Sequence, residues 1–455
     1  MRRKRAHGGK HHPGIPRPKP SQLRKTSPKL KIKAVVLESG DHPISEERLP
    51  PEAVWVLNRL RWAGFFAYVV GGAVRDLLLG SRPKDFDIST SATPEQIKSL
   101  FANAKIIGRR FRLVHIYFRD GDVLEVSTFR ALHQDKHRNR HHSRGPLRND
   151  NVFGTPQEDA LRRDLTINGL FYDSETGQVI DYVGGLDDLD DQLVRMIGRP
   201  TERFREDPVR MIRAIRHAAR TGFSIEQQTW KALRTCSREM KKASPERTLV
   251  EFLREFGGGY SATSLNLMKQ SGLLTSWIPD LDEWLDLEPE VHSKATFGTL
   301  ATAEWAGPDA LWKLLAVMDR RIREGQRVPE EVQLAALAMP ILWEGVLGFG
   351  RRKKTVHRQW KASFEQLFEP IFAPIRFWSH QRHCLWTLVQ TYWRLHENAD
   401  SDALFSSLQR ADWVPEALLL LELECEAHGG TLTEPLQHLI EQRRESEPHE
   451  TWVQG

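Results

Sequence analysis

The sequence predicts an α+β chain, with a small mixed or antiparallel-sheet head followed by a mostly α-helical neck, body and tail. Three observations lead there. Short runs rich in aromatic and β-branched residues crowd into residues 65–130. From about residue 156 the pattern turns helical. Beyond residue 260 the chain reads as helices, dense in tryptophan and without a chemical motif. The 455 residues correspond to about three domains. The boundaries expected are a basic arm over 1–48, a head over 49–200, a neck over 201–262, and a body and tail over 263–455.

Composition narrows the class. With 40% hydrophobic and 28% charged residues, the chain can build cores, which excludes a wholly disordered protein. No stretch approaches the roughly 20 apolar residues that cross a bilayer, so no membrane partner is expected. Cys236, Cys384 and Cys425 lie far apart. They form neither a disulfide framework nor a Cys-x-x-Cys pair, which points to the reducing cytoplasm. Residues 1–33 carry 12 Lys/Arg and no acid, while the whole chain is only +6. The arm lacks the apolar core of a signal peptide. It reads either as a phosphate-neutralising arm or as a solubilising tail.

The elements follow in order. Pro51 opens a helix that continues through Val54, Leu57, Leu60 and Arg61 and stops at Gly64. Order is expected from about Glu46. FFAYVV (65–70) reads as a buried strand ended by Gly71-Gly72. AVRDLLLG (73–80) reads as a short helix, and KDFDIST (84–90) alternates as a strand. Thr93 and Pro94 have the residue types of an N-cap and a first helical position. RLVHIYF (112–118) and DVLEVSTFR (122–130) are strands joined by Asp120-Gly121. HQDKHRNRHHSRGPLR (133–148) lacks the ordered histidine spacing of a zinc site and reads as a solvated basic loop. EDALRRDLTINGLFYD (158–173) is expected to open the helical part. Helices over 206–221 and 244–259 follow, ended by Gly222 and by a glycine run.

Chemistry concentrates in Gly71-Gly72, Arg75 and Asp85-Phe86-Asp87. On a strand, Asp85 and Asp87 share one face, about 7 Å apart, and repel each other unless a cation lies between them. Oxygen-only ligands suit Mg²⁺ or Mn²⁺, and two such ions can run a nucleotidyl transfer. Paired glycines before a helix let a phosphate approach the backbone, with Arg75 placed to add a charge-assisted contact. Neither a P-loop nor a Rossmann glycine pattern is present.

GGAVRDLLLGSRPKDFDIST (71–90) resembles the head motif of the class II nucleotidyltransferases, which include bacterial poly(A) polymerases and CCA-adding enzymes. RRDLTINGL (162–170), REDPVRMIRAIRHA (205–218) and SPERTLVEFLREF (244–256) resemble further motifs of that family, in its order. The resemblance implies that Asp85 and Asp87 hold two Mg²⁺ ions. It implies that Asp164 completes the acidic site, with Glu125 as the other candidate, and that Arg163 steadies triphosphate or ribose. Gly71, Gly72 and Arg75 would line the ATP triphosphate. Asp207 and Arg210, three apart, would read the nucleobase, with Arg213 one turn on near phosphate. IIGRRFRLVHIYF (106–118), with Gly108, Arg109, Arg110, Phe111 and His115, resembles the signature of the poly(A) polymerase branch. The activity implied is template-independent addition of AMP from ATP to RNA 3′ ends. CCA addition to tRNA and a non-catalytic RNA-binding protein remain as alternatives.

Overall fold

The computed structural model describes residues 34–108, 112–119, 121–131, 153–287, 305–348, 356–397, 413–430 and 432–446. Residues 1–33 of the basic arm, the Arg109-Arg110-Phe111 run, Asp120 and the basic loop over 133–148 lie outside the described residues. The chain divides into two compact units, Met1–Gly198 and Arg199–Gly455. Among the described residues no helix is long and apolar enough to cross a membrane.

The first unit is built on an eight-stranded mixed sheet. Its strands are β1 (Val35–Leu37), β2 (Ala67–Val70), β3 (Asp87–Thr90), β4 (Ala104–Ile107), β5 (Leu113–Tyr117), β6 (Val123–Thr128), β7 (Leu170–Asp173) and β8 (Gln178–Asp181). The order across the sheet is β1-β8-β7-β2-β3-β6-β5-β4. The β3–β6 pair is parallel and the other pairs are antiparallel.

Two faces with different fates follow from strand alternation. One carries Val69, Ile88, Val114, Val126 and Tyr172, all buried. Helices α1 (Pro51–Trp62) and α3 (Pro94–Leu100) pack against this part of the unit. α1 buries Ala53, Val56, Leu57 and Leu60 along one stripe. α3 starts with a complete capping box, in which Thr93 and Gln96 satisfy each other's backbone N–H groups.

The other face contains a row of one residue per strand, set by register: Val36, Ile180, Phe171, Val70, Asp87, Glu125, His115 and Lys105. Its first half is apolar. There Val70 and Phe171 join Phe129 and Ala160 of α4 (Pro156–Arg162) in a core cluster. Its second half is ionisable.

Three sequence expectations need correction here. Order does not wait for Glu46, because β1 pairs with β8 as an edge strand. The arm assigned to 1–48 therefore includes a strand of the sheet. The segment from 156 to 198 is not simply helical, since between α4 and α5 (Gly185–Asp190) lie β7 and β8, which complete the sheet. The strand expected over 84–90 begins only at Asp87.

The second unit is helical among its described residues apart from a two-residue strand. α6 (Pro200–Glu206) and α7 (Val209–Thr221) are separated by Asp207 and Pro208, and Gly222 ends α7 in the left-handed region at φ 74°. Later helices include α8 (Gln227–Cys236), α9 (Pro245–Phe256), α10 (Ser261–Gln270), α11 (Leu273–Trp277), α12 (Pro279–Trp284), α13 (Gly307–Arg323), α14 (Glu330–Gly348), α15 (Val356–Ser363), α16 (Glu369–Phe372), α17 (Ser379–Glu397), α18 (Val414–His428) and α19 (Glu434–Ser446). α13, α14, α17 and α18 pack on one another. Trp305, Trp343 and Trp360 are fully buried in this unit. Each is a large apolar payload that serves packing.

Candidate active site

Gly71 lies between β2 and α2 (Gly72–Leu78) with φ 75° and ψ −135°. A side chain there would be strained, and its Cβ would stand 3.0 Å from Nη1 of Arg163. The positive φ calls for glycine, and a Cβ would also press on Arg163. Arg163 follows the last turn of α4. Its guanidinium donates to Ser89 Oγ at 3.3 Å, to Asp159 Oδ2 at 3.2 Å and to the Asn168 carbonyl at 3.4 Å. It also lies 5.5 Å from the Phe171 ring centroid. Arg163 thus spans the glycine turn and the middle of the sheet.

Asp87 is the first residue of β3. Its parallel-strand partner is Glu125, so the two side chains leave the same face on adjacent strands. One step along, Ser89 and Ser127 occupy the same register with hydroxyls 2.8 Å apart, which fixes that facing. Beyond Glu125 comes His115, whose Nε2 is 3.6 Å from Glu125 Oε2. The Asp87 carboxyl is pushed up to about 6. Burial among sheet and helix atoms is the largest cause, and the charge of Glu125 follows; Asp85 adds a smaller push, and Arg163 pulls the other way. Residue 87 is nevertheless open to solvent at its rim.

Asp85 is exposed and precedes the strand, so alternation along β3 does not orient it. Its proximity shows in the charge it exerts on Asp87. The structure thus brings together Gly71, Arg163, Asp87, Glu125 and Asp85. Asp164 is turned into the backbone: its carboxylate accepts from the Leu165 N–H at 2.9 Å. The carboxylates pressing on Asp87 are Glu125 and Asp85.

Arg75 does not occupy the position expected of it. It is 1% exposed, and its guanidinium donates to Asp76 Oδ1 at 2.9 and 2.7 Å and to Asn168 Oδ1 at 2.6 Å. It braces α2 against the turn at Thr166–Asn168 from below, and does not face outward toward a phosphate. Gly72 gives it room, since a Cβ there would meet Arg75 Nη2 at 3.4 Å.

In the second unit, Asp207 and Arg210 do not share one helix, because Asp207 has extended backbone at the break before α7. They are still neighbours, with Arg210 Nε 4.0 Å from Asp207 Oδ2. Arg247 of α9 holds Asp207 through two parallel bonds of 2.9 and 2.8 Å. Arg210 also reaches Glu206 at 3.3 Å and the Arg203 carbonyl at 3.1 Å. Arg213 lies 3.6 Å from Glu251, the buried acid that also takes Arg216 and Arg254.

Sequence reasoning missed Asp159, which orients Arg163, and Arg247, which orients Asp207. Asp159 was findable as an acid four residues before an arginine at a helix end. Arg247 was not, because its partner lies 40 positions away.

Among the described residues, no three His, Cys, Asp or Glu side chains form a group that could hold a metal ion. The donor set nevertheless fits a hard divalent ion. It is all carboxylate oxygen, and Asp87 is held above its ordinary range by burial first and then by the like charges of Glu125 and Asp85.

Comparison with known proteins bears on the family. A family model described as the poly A polymerase head domain matches residues 67–195. Another, described as a probable RNA and SrmB-binding site of polymerase A, matches residues 222–285. Poly(A) polymerase I of Escherichia coli O157:H7 is 42% identical over 253 residues, covering 55% of this chain and 54% of that protein. A CCA-adding enzyme of Lactobacillus helveticus is 34% identical over 283 residues, covering 60% of this chain and 66% of that protein. The chain thus spans about half the length of the poly(A) polymerases it matches. The solved apo form of a tRNA-processing enzyme shares the fold at 22% identity and a TM-score of 0.53, over 87% of this chain and 93% of that one.

Proposed function

Because this chain belongs to the bacterial class II nucleotidyltransferase family of poly(A) polymerase I and CCA-adding enzyme relatives, we propose that it is a template-independent RNA adenylyltransferase. It adds AMP from ATP to RNA 3′ ends. The observation that carries the reading is the in-register pair Asp87 and Glu125, crowded by Asp85 and faced by Arg163 across the bare backbone of Gly71.

Asp85, Asp87 and Glu125 would hold the divalent ions. Glu125 is proposed for the third place ahead of Asp164, and its register with Asp87 supports that choice. When bound, Mg²⁺ or Mn²⁺ would activate the RNA 3′-hydroxyl and neutralise the departing pyrophosphate. Arg163, fixed by Asp159 and Ser89, presents a pre-aimed cation to triphosphate oxygens. Gly71 and Gly72 leave the backbone bare where those oxygens approach. Arg75 keeps that turn rigid from below. Asp207 and Arg210 present an acceptor and a donor for a nucleobase edge, with Arg247 fixing the carboxylate and Arg213 near phosphate. Higher identity to the poly(A) polymerases than to the CCA-adding enzymes supports adenylate as the unit added.

The test is extension of a short unstructured RNA by pure protein with Mg²⁺ and one nucleoside triphosphate at a time. Long ladders from ATP alone are expected. CTP use that stops after a few additions would assign CCA synthesis instead. Inactivity with every nucleotide would leave a non-catalytic RNA-binding protein.

A further inference from the structure

Among the described residues, the sheet face that carries Asp87 is covered over only part of its width. On β2 and β7, Val70 and Phe171 are sealed by Phe129 and by Ala160 of α4. On β4, β5 and β6 the same face carries Lys105, Ile107, Leu113, His115, Tyr117, Val123 and Glu125, none of them buried. Ile107 is 39% exposed, Tyr117 37% and Val123 47%. Alternate residues of these strands, Val114, Ile116 and Val126, are fully buried on the opposite face. Among the described residues, the strands are therefore firmly packed from one side and bare on the other.

The bare surface has a polarity. Its inner end is acidic, at Glu125 and Asp87. Its outer edge is cationic, where the Lys105 ammonium lies 5.1 Å from the Tyr117 ring centroid. His115 stands between, edge-on to Tyr117 at 6.2 Å. Strands are spaced about 4.8 Å apart, so Lys105 on β4 lies about 14 Å across the sheet from Asp87 on β3. A ligand suited to this surface has flat faces to stack on Tyr117 and His115 and an anion for Lys105. It also has an uncharged, nucleophilic end that tolerates the carboxylates.

We propose that this bare face of β4–β6 seats the unpaired 3′-terminal nucleotides of the acceptor RNA, with bases against Tyr117 and His115, backbone phosphate at Lys105 and the 3′-hydroxyl directed to Asp87 and Glu125. Sheets that present aromatic rings to splayed bases are an established way to hold single-stranded RNA. The proposal rests on the adenylyltransferase reading above for the identity of the ligand. It assigns a place for the acceptor that the acidic site alone does not.

The test omits ATP, so it does not depend on turnover. A short unstructured RNA with 4-thiouridine at its last position is bound to the full-length protein and irradiated. The same RNA with a 5′ fluorophore gives affinity by anisotropy. Cross-links are expected within strands β4–β6 from the terminal position, and not from a 4-thiouridine placed near the 5′ end. Tyr117→Ala is expected to weaken binding roughly 5- to 150-fold, the span for loss of one stacking platform. Tyr117→Phe should retain affinity, and Lys105→Glu should weaken binding and flatten its salt dependence. Terminal cross-links confined to other elements, or unchanged affinity in both Tyr117→Ala and Lys105→Glu, would overturn the proposal. If wild type extends RNA with ATP while those variants bind normally, only the seat is wrong. If wild type binds no RNA, the reading it rests on fails as well.

Discussion

Asp87 in the head and Glu424 in the helical body both titrate well above an ordinary carboxylate, at about 6 and about 8. The causes differ. Burial dominates at Glu424, which is fully enclosed, with Tyr392 and Trp343 close by. His396 and His428 in the same unit are pushed down to about 4, again by burial first. At Asp87 burial is joined by two like charges, Glu125 and Asp85, and the residue keeps an open rim. A displaced acid therefore does not mark a site by itself. Enclosure alone yields a neutral packing group, whereas like-charge crowding at an opening marks a place prepared for a cation.

The largest effect expected from this contrast is on activity. Asp87→Ala should lower AMP incorporation by roughly 10²- to 10³-fold, the scale for a group acting directly on transition-state charge. Glu424→Gln should leave the rate at neutral pH nearly unchanged. Equal losses in the two variants, measured as initial rates under saturating ATP, would erase the distinction.

Next in size is the pH dependence of stability. A carboxyl raised from 4.5 to about 8 stabilises the fold fully below pH 4.5, and that contribution is lost as pH rises to 8. Glu424 and Glu255 both behave this way. His396 and His428, lowered from 6.5 to about 4, run oppositely, losing stability as pH falls through that window. The two pairs offset each other between pH 4.5 and 6.5. Above 6.5 only the acids change, at up to about 1.4 kcal/mol per pH unit each. Thermal melting of the full chain should therefore decline from pH 6.5 to 8, and Glu424→Gln should roughly halve that slope.

Smaller again is the glycine turn. Gly71→Ala places a Cβ at φ 75° and 3.0 Å from Arg163. A cost of about 1–3 kcal/mol is expected, with a raised KM for ATP as Arg163 is displaced. A variant with unchanged melting and unchanged KM would show that the turn does not need glycine.

The same contrast explains what the sequence made legible. The acidic motif and glycine pair were readable because their chemistry is local, within residues 71–87. The N-cap at Thr93 and the stop at Gly222 were readable for the same reason. β7 and β8 were missed because LFYD and QVID are short and follow a helical run, and only pairing across the sheet makes them strands. The choice between Asp164 and Glu125 could not be made from spacing. It depends on a parallel register between β3 and β6, two strands separated by 32 intervening residues. Arg75 misled because an arginine in the first turn beside two glycines has the composition of a phosphate site. Its partners are the adjacent Asp76 and Asn168, 93 positions away. In the body the sequence showed only tryptophan-dense helices without a chemical motif, and burial of Trp305 and Trp343 emerges from helix packing between distant segments.

The smallest effect offers the sharpest test of why Asp87 is displaced. Its folded value of about 6 exceeds the ordinary 3.8, so the neutral form stabilises the fold below about pH 4, and this contribution is lost as pH rises to 6. Without divalent ions at pH 7.5, Asp87→Asn should then melt slightly higher than wild type, by less than about 1 kcal/mol because solvent screens a partly exposed group. The gap should open between pH 4 and 6 and stay constant above, in a window that ends two units below the one set by Glu424. Added Mg²⁺ should raise the melting temperature of wild type by mass action and move Asp87→Asn much less. If Mg²⁺ shifted both equally, the like charges around Asp87 would not be what receives the ion, and the head would differ from the body in exposure alone.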